Sequence, residues 1–373
     1  GARVAALVYR AGESLVVVAA TDGSETRAIP LAWDPGARIA WLDRRTLLMR
    51  VGVAGGGSQF DLARLRFGDR LRDGPRIDTT RLGSEGRADP AFFTARPDGR
   101  GLTLISVRVT TRLAWFDASM TREAATLSLG TSWFPGAACV ADGAVVVKAG
   151  SPSTLLRYRA GSPDLTVLAT RDGEISAVAS RRDGAAVLVS ALPQGTRAYA
   201  GARTAEIELR TGAEREVGPG LAVGYLADGR PLLAVVGPTG RVALGVAGAG
   251  PAPPLPAVPA LEQGGGGLSR GGRWLYVSDS AGVTLHDLTA PGAAPRRVAW
   301  AGASPVGVVG DTVLIARVSA SAGSPLGAVR RLNLRTGATA EVALRQMLQA
   351  TEVCADGRVL ALVADAMQSD VYL

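Results

Sequence analysis

The sequence is poor in the residues from which enzymes and metalloproteins build their sites. It has one histidine, His286, and two cysteines, and aromatic residues make up 5% of its 373 positions. Zinc, copper and haem sites normally take several His or Cys ligands, so this composition argues against a metal or cofactor. A Ser-His-acid triad would depend on His286 alone, which we interpret as a structural ring in a strand. We therefore predict no catalytic, cofactor-binding or metal-binding residue, and a protein that is not an enzyme.

Lysine is also nearly absent, although the chain is basic. Lys148 is the single lysine, and the formal net charge of +8 is carried by arginine. The arginines are interleaved with acids, as over residues 64–73, instead of forming one basic stretch. This even spread argues against nucleic acid as a partner. Long apolar runs are missing too: none reaches about 18 residues, so we predict no membrane span.

The two cysteines, Cys139 and Cys354, each lie in an apolar run just before a turn. A free buried thiol behaves as a small hydrophobic group, which suits both positions. A disulfide is open in principle, but the repeat described next places the two residues far apart around a ring. They do not reveal the compartment.

A turn containing Asp-Gly, or a degraded copy of it, recurs along most of the chain. Each copy precedes a short run of apolar, β-branched residues, and the spacing between copies is 39–45 residues. Asp-Gly tolerates the backbone of a tight hairpin turn, so we interpret the recurring aspartates as turn formers, not as catalytic acids. The marks of the repeat are Asp98, Asp142, Asp183, Asp228, Gly272, Asp311 and Asp356.

Four short strands fit into each repeat, which is the blade of a β-propeller. We predict an all-β fold of four-stranded blades, eight in number, with seven as the alternative. Strands in Val4–Pro30 and the last residues of the chain would share a closing blade, so that both termini close the ring. The whole chain, 1–373, is then one domain, and the Pro- and Gly-rich stretch 248–267 is a surface loop.

Three segments resemble a known family repeat. Trp33–Ala40, Pro97–Arg100 and Ser369–Leu373 are similar to the pattern W-S-P-D-G-x-x-I-A-F … D-I-Y-x-x-D. That pattern marks the bacterial WD40-like (PD40) propellers of the TolB type. The resemblance implies a repeat protein that binds other proteins, and it favours an extracytoplasmic location, periplasmic or secreted.

These observations together predict a non-enzymatic interaction, sensor or scaffold propeller that binds a protein or peptide. We expect a monomeric domain that is an accessory part of a larger bacterial protein. Trp133 and Phe134 open a blade, and we predict them as partner-binding residues at the rim of the channel. The alternative is a propeller enzyme, a hydrolase or lyase, that uses carboxylates and arginines in its channel.

Overall fold

The structure is a computed structural model. It describes residues 2–10, 13–30, 35–52, 60–81, 90–95, 102–130, 134–149, 152–162, 164–193, 201–236, 242–248, 255–256, 266–290, 292–318, 327–344 and 346–372. The chain divides into two compact units, Gly1–Val109 with Ala366–Leu373, and Thr110–Asp365. We call them the first and the second unit.

The first unit is built from antiparallel strands. β1, β2 and β3 form one sheet, β4 to β7 form the next, and β8 pairs with the beginning of β9. The strands are β1 Arg3–Arg10, β2 Glu13–Ala20, β3 Thr26–Pro30, β4 Pro35–Trp41, β5 Thr46–Gly52, β6 Phe60–Phe67, β7 Pro75–Arg81, β8 Pro90–Ala95 and β9 Leu102–Phe116. Buried side chains of the first two sheets, Val16, Val18, Leu47 and Leu65 among them, pack together as the core of this unit.

The second unit holds six antiparallel sheets, in each of which neighbouring strands are mostly consecutive in the chain. Five follow one another along the sequence. They are β11 Gly136–Val140, β12 Gly143–Lys148, β13 Ser153–Arg159 and β14 Leu165–Arg171; β15 Glu174–Ser180, β16 Ala186–Leu192, β17 Arg203–Glu208 and β18 Glu214–Pro219; β19 Leu221–Tyr225, β20 Pro231–Val236 and β21 Val242–Val246; β22 Gly266–Leu268, β23 Trp274–Asp279, β24 Gly282–Asp287 and β25 Arg296–Val298; and β26 Ala303–Val309, β27 Val313–Val318, β28 Ala328–Asn333 and β29 Thr339–Ala343.

The sixth sheet joins the end of the chain to an earlier segment. Its order is β30 (Met347–Val353), β31 (Val359–Tyr372), β9 and β10 (Glu123–Gly130). The sequence predicts that Val4–Pro30 completes this sheet. Instead those residues form the separate sheet β1-β2-β3, and β9 with β10 takes the place next to β31. The last described residues of the chain belong to β31, which continues as far as Tyr372.

The first strands of the six sheets, β11, β15, β19, β22, β26 and β30, contact one another in that order, and β30 contacts β11. We call them the inner strands. The second strand of each sheet contains an apolar run, and Val145, Leu188, Leu232 and Leu362 are buried in such runs. Burial on both faces explains why these runs lack polar alternation.

The fold is therefore all-β and of the propeller type, built from successive antiparallel sheets, as the sequence predicts. The described strands form eight sheets divided between the two units. A single ring of eight blades, and a single domain over 1–373, stay predictions. Most of the predicted loop 248–267 lies outside the described residues, but Gly266 and Gly267 belong to the inner strand β22. Within the described part of the chain, no helix has the length and apolar character that crossing a membrane requires.

The prediction of two separate free thiols is wrong. Cys139 in β11 and Cys354 just after β30 form a disulfide, with their Cα atoms 5.4 Å apart. The expected distance assumed that the circle of sheets begins with the first thirty residues. Since the sixth sheet takes β9 and β10 instead, β30 lies beside β11 and brings the two cysteines together.

Three of the recurring aspartates form turns through their side chains, whereas both carboxylate oxygens of Asp142 accept hydrogen bonds from Arg157. In the turns after β15, β19 and β30, one carboxylate oxygen accepts the backbone N–H two residues further on. The aspartates are Asp183, Asp228 and Asp356. The turn at Asp98 lies outside the described residues.

The turn glycines differ in how closely the neighbouring sheet approaches them. The cost in stability of replacing them by alanine should differ accordingly. Gly272 and Gly229 occupy the same repeat position with φ near +74° and +83°. A Cβ at Gly272 would lie 2.2 Å from the backbone N of Ala227, whereas one at Gly229 would meet nothing within 4 Å. We expect Gly229→Ala to lower the free energy of unfolding by about 1 kcal/mol, from the left-handed backbone alone. Gly272→Ala should cost about 2 kcal/mol more, because the adjacent turn must also move.

Urea denaturation of the two variants measures this difference. Equal midpoints for both variants would contradict the close packing of successive turns in the second unit.

Candidate ligand-binding cavity

A cavity of about 300 Å³ lies within the second unit. All six inner strands line it, and β23 adds Tyr276. The inner strands contribute residues from the segments 135–137, 176–180, 222–225, 266–270, 305–308 and 351–353. This cavity is the strongest candidate for a functional site in the described part of the chain.

Many side chains of the inner strands are small where neighbouring strands approach closely. A Cβ at Gly224 would lie 2.9 Å from the Cβ of Leu268, and one at Gly307 would lie 2.7 Å from a methyl of Val353. The repeats can be aligned by their turn aspartates, with Gly271 at the place where the aspartate is lost. The position four residues before this point carries a small residue in five of the six repeats. It is occupied by Ala138, Ala179, Gly224, Gly267, Gly307 and Glu352.

Glu352 is the exception in that series, and sequence reasoning missed it. An acid at a position where five other repeats have Ala or Gly is the signal that could have identified it. Its side chain keeps part of its surface exposed and lines the cavity. One carboxylate oxygen accepts the backbone N–H of Cys139, and the other accepts the hydroxyl of Ser180 at 2.9 Å.

The position of Glu352 deep in the molecule raises the pKa of its carboxyl above the ordinary value, because burial disfavours the charged form. The positive charge of Arg270 and the hydrogen bonds from Cys139 and Ser180 oppose that effect only in part. The charged form of this carboxyl is therefore one that a nearby counter-charge would stabilise.

Arg270 crosses the cavity at the end where the inner strands run into their turns. It follows β22, yet it donates to the carbonyl of Cys139 at 3.2 Å and to the hydroxyl of Ser180 at 2.8 Å. Two further bonds reach the carbonyls of Arg181 and Arg182. In the circle of contacts β22 lies opposite β11, so the bond to the carbonyl of Cys139 carries this guanidinium across the cavity.

The hydroxyl of Ser180 links the two charged side chains. It accepts from Arg270 and donates to Glu352, so a relay Arg270–Ser180–Glu352 joins three sheets. The sheets are those of β22, β15 and β30. Since each member depends on the next, the relay fixes the orientation of the carboxylate at the end of the cavity.

The raised pKa of Glu352 predicts an unusual pH dependence of stability. Between the ordinary value of 4.5 and the higher folded value, the folded protein binds more protons at this site than the unfolded chain. Its free energy of unfolding therefore falls as pH rises through that window. We expect Glu352→Gln to remove this loss, so that the variant gains on the wild type as pH increases from 4 to 8.

Urea unfolding across that pH range is the measurement. Asp228→Asn is the opposite control, because the hydrogen bond from Arg230 holds the pKa of Asp228 below its ordinary value. The wild type should therefore lose its advantage over Asp228→Asn as pH falls, so that the two stabilities converge. A constant difference between wild type and Glu352→Gln at all pH values would contradict the raised pKa of the Glu352 carboxyl.

The residues predicted for partner binding are placed differently. Phe134 has 1% of its surface exposed and packs with Leu113, Trp115 and Val146 in the core. Its ring is therefore not available as an exposed anchor, because the apolar cluster between two sheets already takes it up. Trp133 lies outside the described residues, and its role stays a prediction.

One further pattern was missed from the sequence. Residues 267–271 read G-x-S-x-G, the outline of a hydrolase nucleophile elbow. That motif needs a turn from a strand into a helix. Here Ser269 lies in the hairpin between β22 and β23, is buried, and its Oγ accepts the backbone N–H of Trp274 at 3.0 Å. Among the described residues no group of three or more His, Cys, Asp or Glu could hold a metal ion.

Comparison with known proteins gives similarity in structure only. No family model and no curated protein matches the sequence. A TolB-type protein from Agrobacterium tumefaciens is 14% identical with a TM-score of 0.48, and the match covers 70% of this chain and 99% of that one. TolB from Acinetobacter baumannii is 11% identical with a TM-score of 0.42, over 86% and 79%. A prolyl endopeptidase is 13% identical with a TM-score of 0.35, over 97% of this chain and 54% of that one. The chain is thus similar to TolB propellers, at identities too low to transfer a function.

Proposed function

We propose that the protein is a non-enzymatic binding propeller that takes a segment of a protein or peptide partner into the cavity of its second unit. One observation carries this proposal. All six inner strands converge on one cavity, and at its end a carboxylate and a guanidinium are held by a fixed hydrogen-bonded relay. Pre-organised polar groups at the end of a concave site are typical of ligand recognition.

The walls of the cavity suit an extended chain. Its volume of about 300 Å³ is at the small end for ligand sites, which leaves room for a few residues. Ser176 and Thr351 line it and are partly exposed, while much of the remaining wall is Gly and Ala on strands that pair with a neighbour on one side within their sheets. Hydroxyl and backbone groups can pair with the amides of a peptide without demanding one particular side chain.

The alternative of a hydrolase or lyase has less support from the geometry. A glycosidase-type mechanism needs two carboxyl groups on either side of the bond that breaks. In the described lining of the cavity, Glu352 is the single acid. Ser269, the residue of the nucleophile-like pattern, is buried and engaged by the backbone. These points favour binding without turnover.

The disulfide supports an extracytoplasmic location, periplasmic or secreted. Disulfides such as Cys139–Cys354 persist in oxidising compartments and are rare in the reducing cytosol. We further propose that the domain is monomeric and serves as an accessory part of a larger bacterial protein.

Selection of linear peptides from a random display library on the purified chain tests the proposed function. We expect enriched peptides to bind the wild type, to remain uncleaved, and to lose binding to Ala179→Phe, which fills the cavity. We call the strand at the opposite edge of each sheet from the inner strand the outer strand. Val167→Phe is the matched control, since Val167 is 64% exposed on the outer strand β14. Peptides that bind both variants equally would place the site elsewhere, and cleaved peptides would identify an enzyme.

A further inference from the structure

We infer that Glu352 is the recognition point for a primary ammonium group, carried by the N-terminus or a lysine side chain of the segment that enters the cavity. The inference rests on the proposed function and specifies its ligand chemistry.

The carboxylate of Glu352 has acceptor capacity left. A carboxylate offers about four lone-pair positions. Cys139 N–H occupies one oxygen and the Ser180 hydroxyl the other, and the backbone of Ser180 adds one more bond. An ammonium group brings three donors in a compact head, which fits an acceptor already fixed in place.

The neighbouring guanidinium does not take the place of such a ligand. Arg270 directs its bonds to three backbone carbonyls and to the Ser180 hydroxyl, so it reaches Glu352 only through Ser180. An anion entering the cavity would find most donors of Arg270 in use and would meet the carboxylate of Glu352. A cation would find the opposite. Glu352 lines the cavity as an acceptor, and its hydrogen bonds come from uncharged donors, the backbone N–H of Cys139 and the hydroxyl of Ser180.

Burial adds a thermodynamic reason. Removing the carboxylate from bulk water disfavours its charge, as the raised pKa of Glu352 reflects. A bound ammonium group restores a counter-charge at a site of low dielectric constant, where the attraction is stronger than at the surface. Among the six equivalent repeat positions only that of Glu352 offers a carboxylate to the ammonium group, since the other five carry Ala or Gly.

Binding of small matched probes by isothermal titration calorimetry tests the inference. The probes are triglycine amide, its N-acetylated form, n-butylammonium for a lysine side chain, and N-acetyl-triglycine with a free carboxylate. We expect triglycine amide or n-butylammonium to bind at least about tenfold more tightly than both acetylated peptides. Which of these two binds distinguishes an N-terminus from a lysine. Glu352→Gln keeps the shape and a carbonyl acceptor, and should lose that preference.

Glu341→Gln is the control variant, because Glu341 lies on the outer strand β29 and pairs with Arg330 at 2.6 Å. It should bind the probes as the wild type does. Equal binding of free and acetylated peptides, preference for the carboxylate probe, unchanged binding by Glu352→Gln, or no binding of either amine would each overturn the inference. If the display-selected peptides still lose binding to Ala179→Phe in those cases, the proposed function survives while the ammonium site does not.

Discussion

Replacing Cys139 and Cys354 together by serine should lower the free energy of unfolding by about 2–5 kcal/mol. The disulfide joins residues 215 positions apart, so it removes much of the freedom of the unfolded chain. It also joins β11 to the end of β30, the contact at which the circle of inner strands returns to its beginning. Loss of the bond should therefore weaken the whole second unit.

Guanidinium chloride unfolding, with and without a thiol reductant, measures this effect. Reductant should shift the wild-type midpoint towards that of the double variant and should leave the double variant unchanged. A wild type whose stability does not respond to reductant under conditions that free both thiols would contradict the role given to the disulfide.

Arg270→Met should cost about 3 kcal/mol of stability. The change keeps a long apolar side chain but removes four hydrogen bonds from a charged donor. It leaves the carbonyl of Cys139 without this donor, and the hydroxyl of Ser180 keeps only its bond to Glu352. Glu352 also loses the nearby positive charge, which makes its carboxylate costlier to hold.

Two comparisons separate this role from a general surface effect. Arg270→Lys should recover little, since an ammonium cannot reproduce the planar array of donors that spans the cavity. Arg358→Met removes a turn arginine about half exposed that pairs with Asp356, and should cost less than about 1 kcal/mol. Similar losses for Arg270→Met and Arg358→Met in urea unfolding would contradict the bridging role.

The repeat could be predicted from sequence because its cause is local. An Asp-Gly turn followed by an apolar run encodes a hairpin, and each described turn aspartate of this kind lies between two paired strands. Which sheet receives the last strands is not encoded locally. Both Val4–Pro30 and β9–β10 read as strands, and only the pairing of β9 with β31 decides between them. The position of the disulfide follows from that choice, so it was mispredicted for the same reason.

In the candidate site, too, local sequence features could be predicted and contacts between distant segments could not. Aromatic residues drew attention to Trp133 and Phe134, although Phe134 serves the core between two sheets. Glu352 carried a readable signal, an acid in a series of Ala and Gly, once the repeats are aligned by their turns. Arg270 carried none, because its partners come from sheets whose proximity depends on the closed order of the six inner strands.

Photo-crosslinking of a display-selected peptide tests most directly whether the cavity of the second unit is the binding site. The peptide would carry a photoreactive side chain, and the adducts would be located by mass spectrometry of proteolytic fragments. We predict adducts within inner strands, above all in Glu174–Ser180 and Met347–Val353, that disappear in the Ala179→Phe variant. Adducts confined to outer strands such as Leu165–Arg171 or Glu214–Pro219, and unaffected by that variant, would contradict the account.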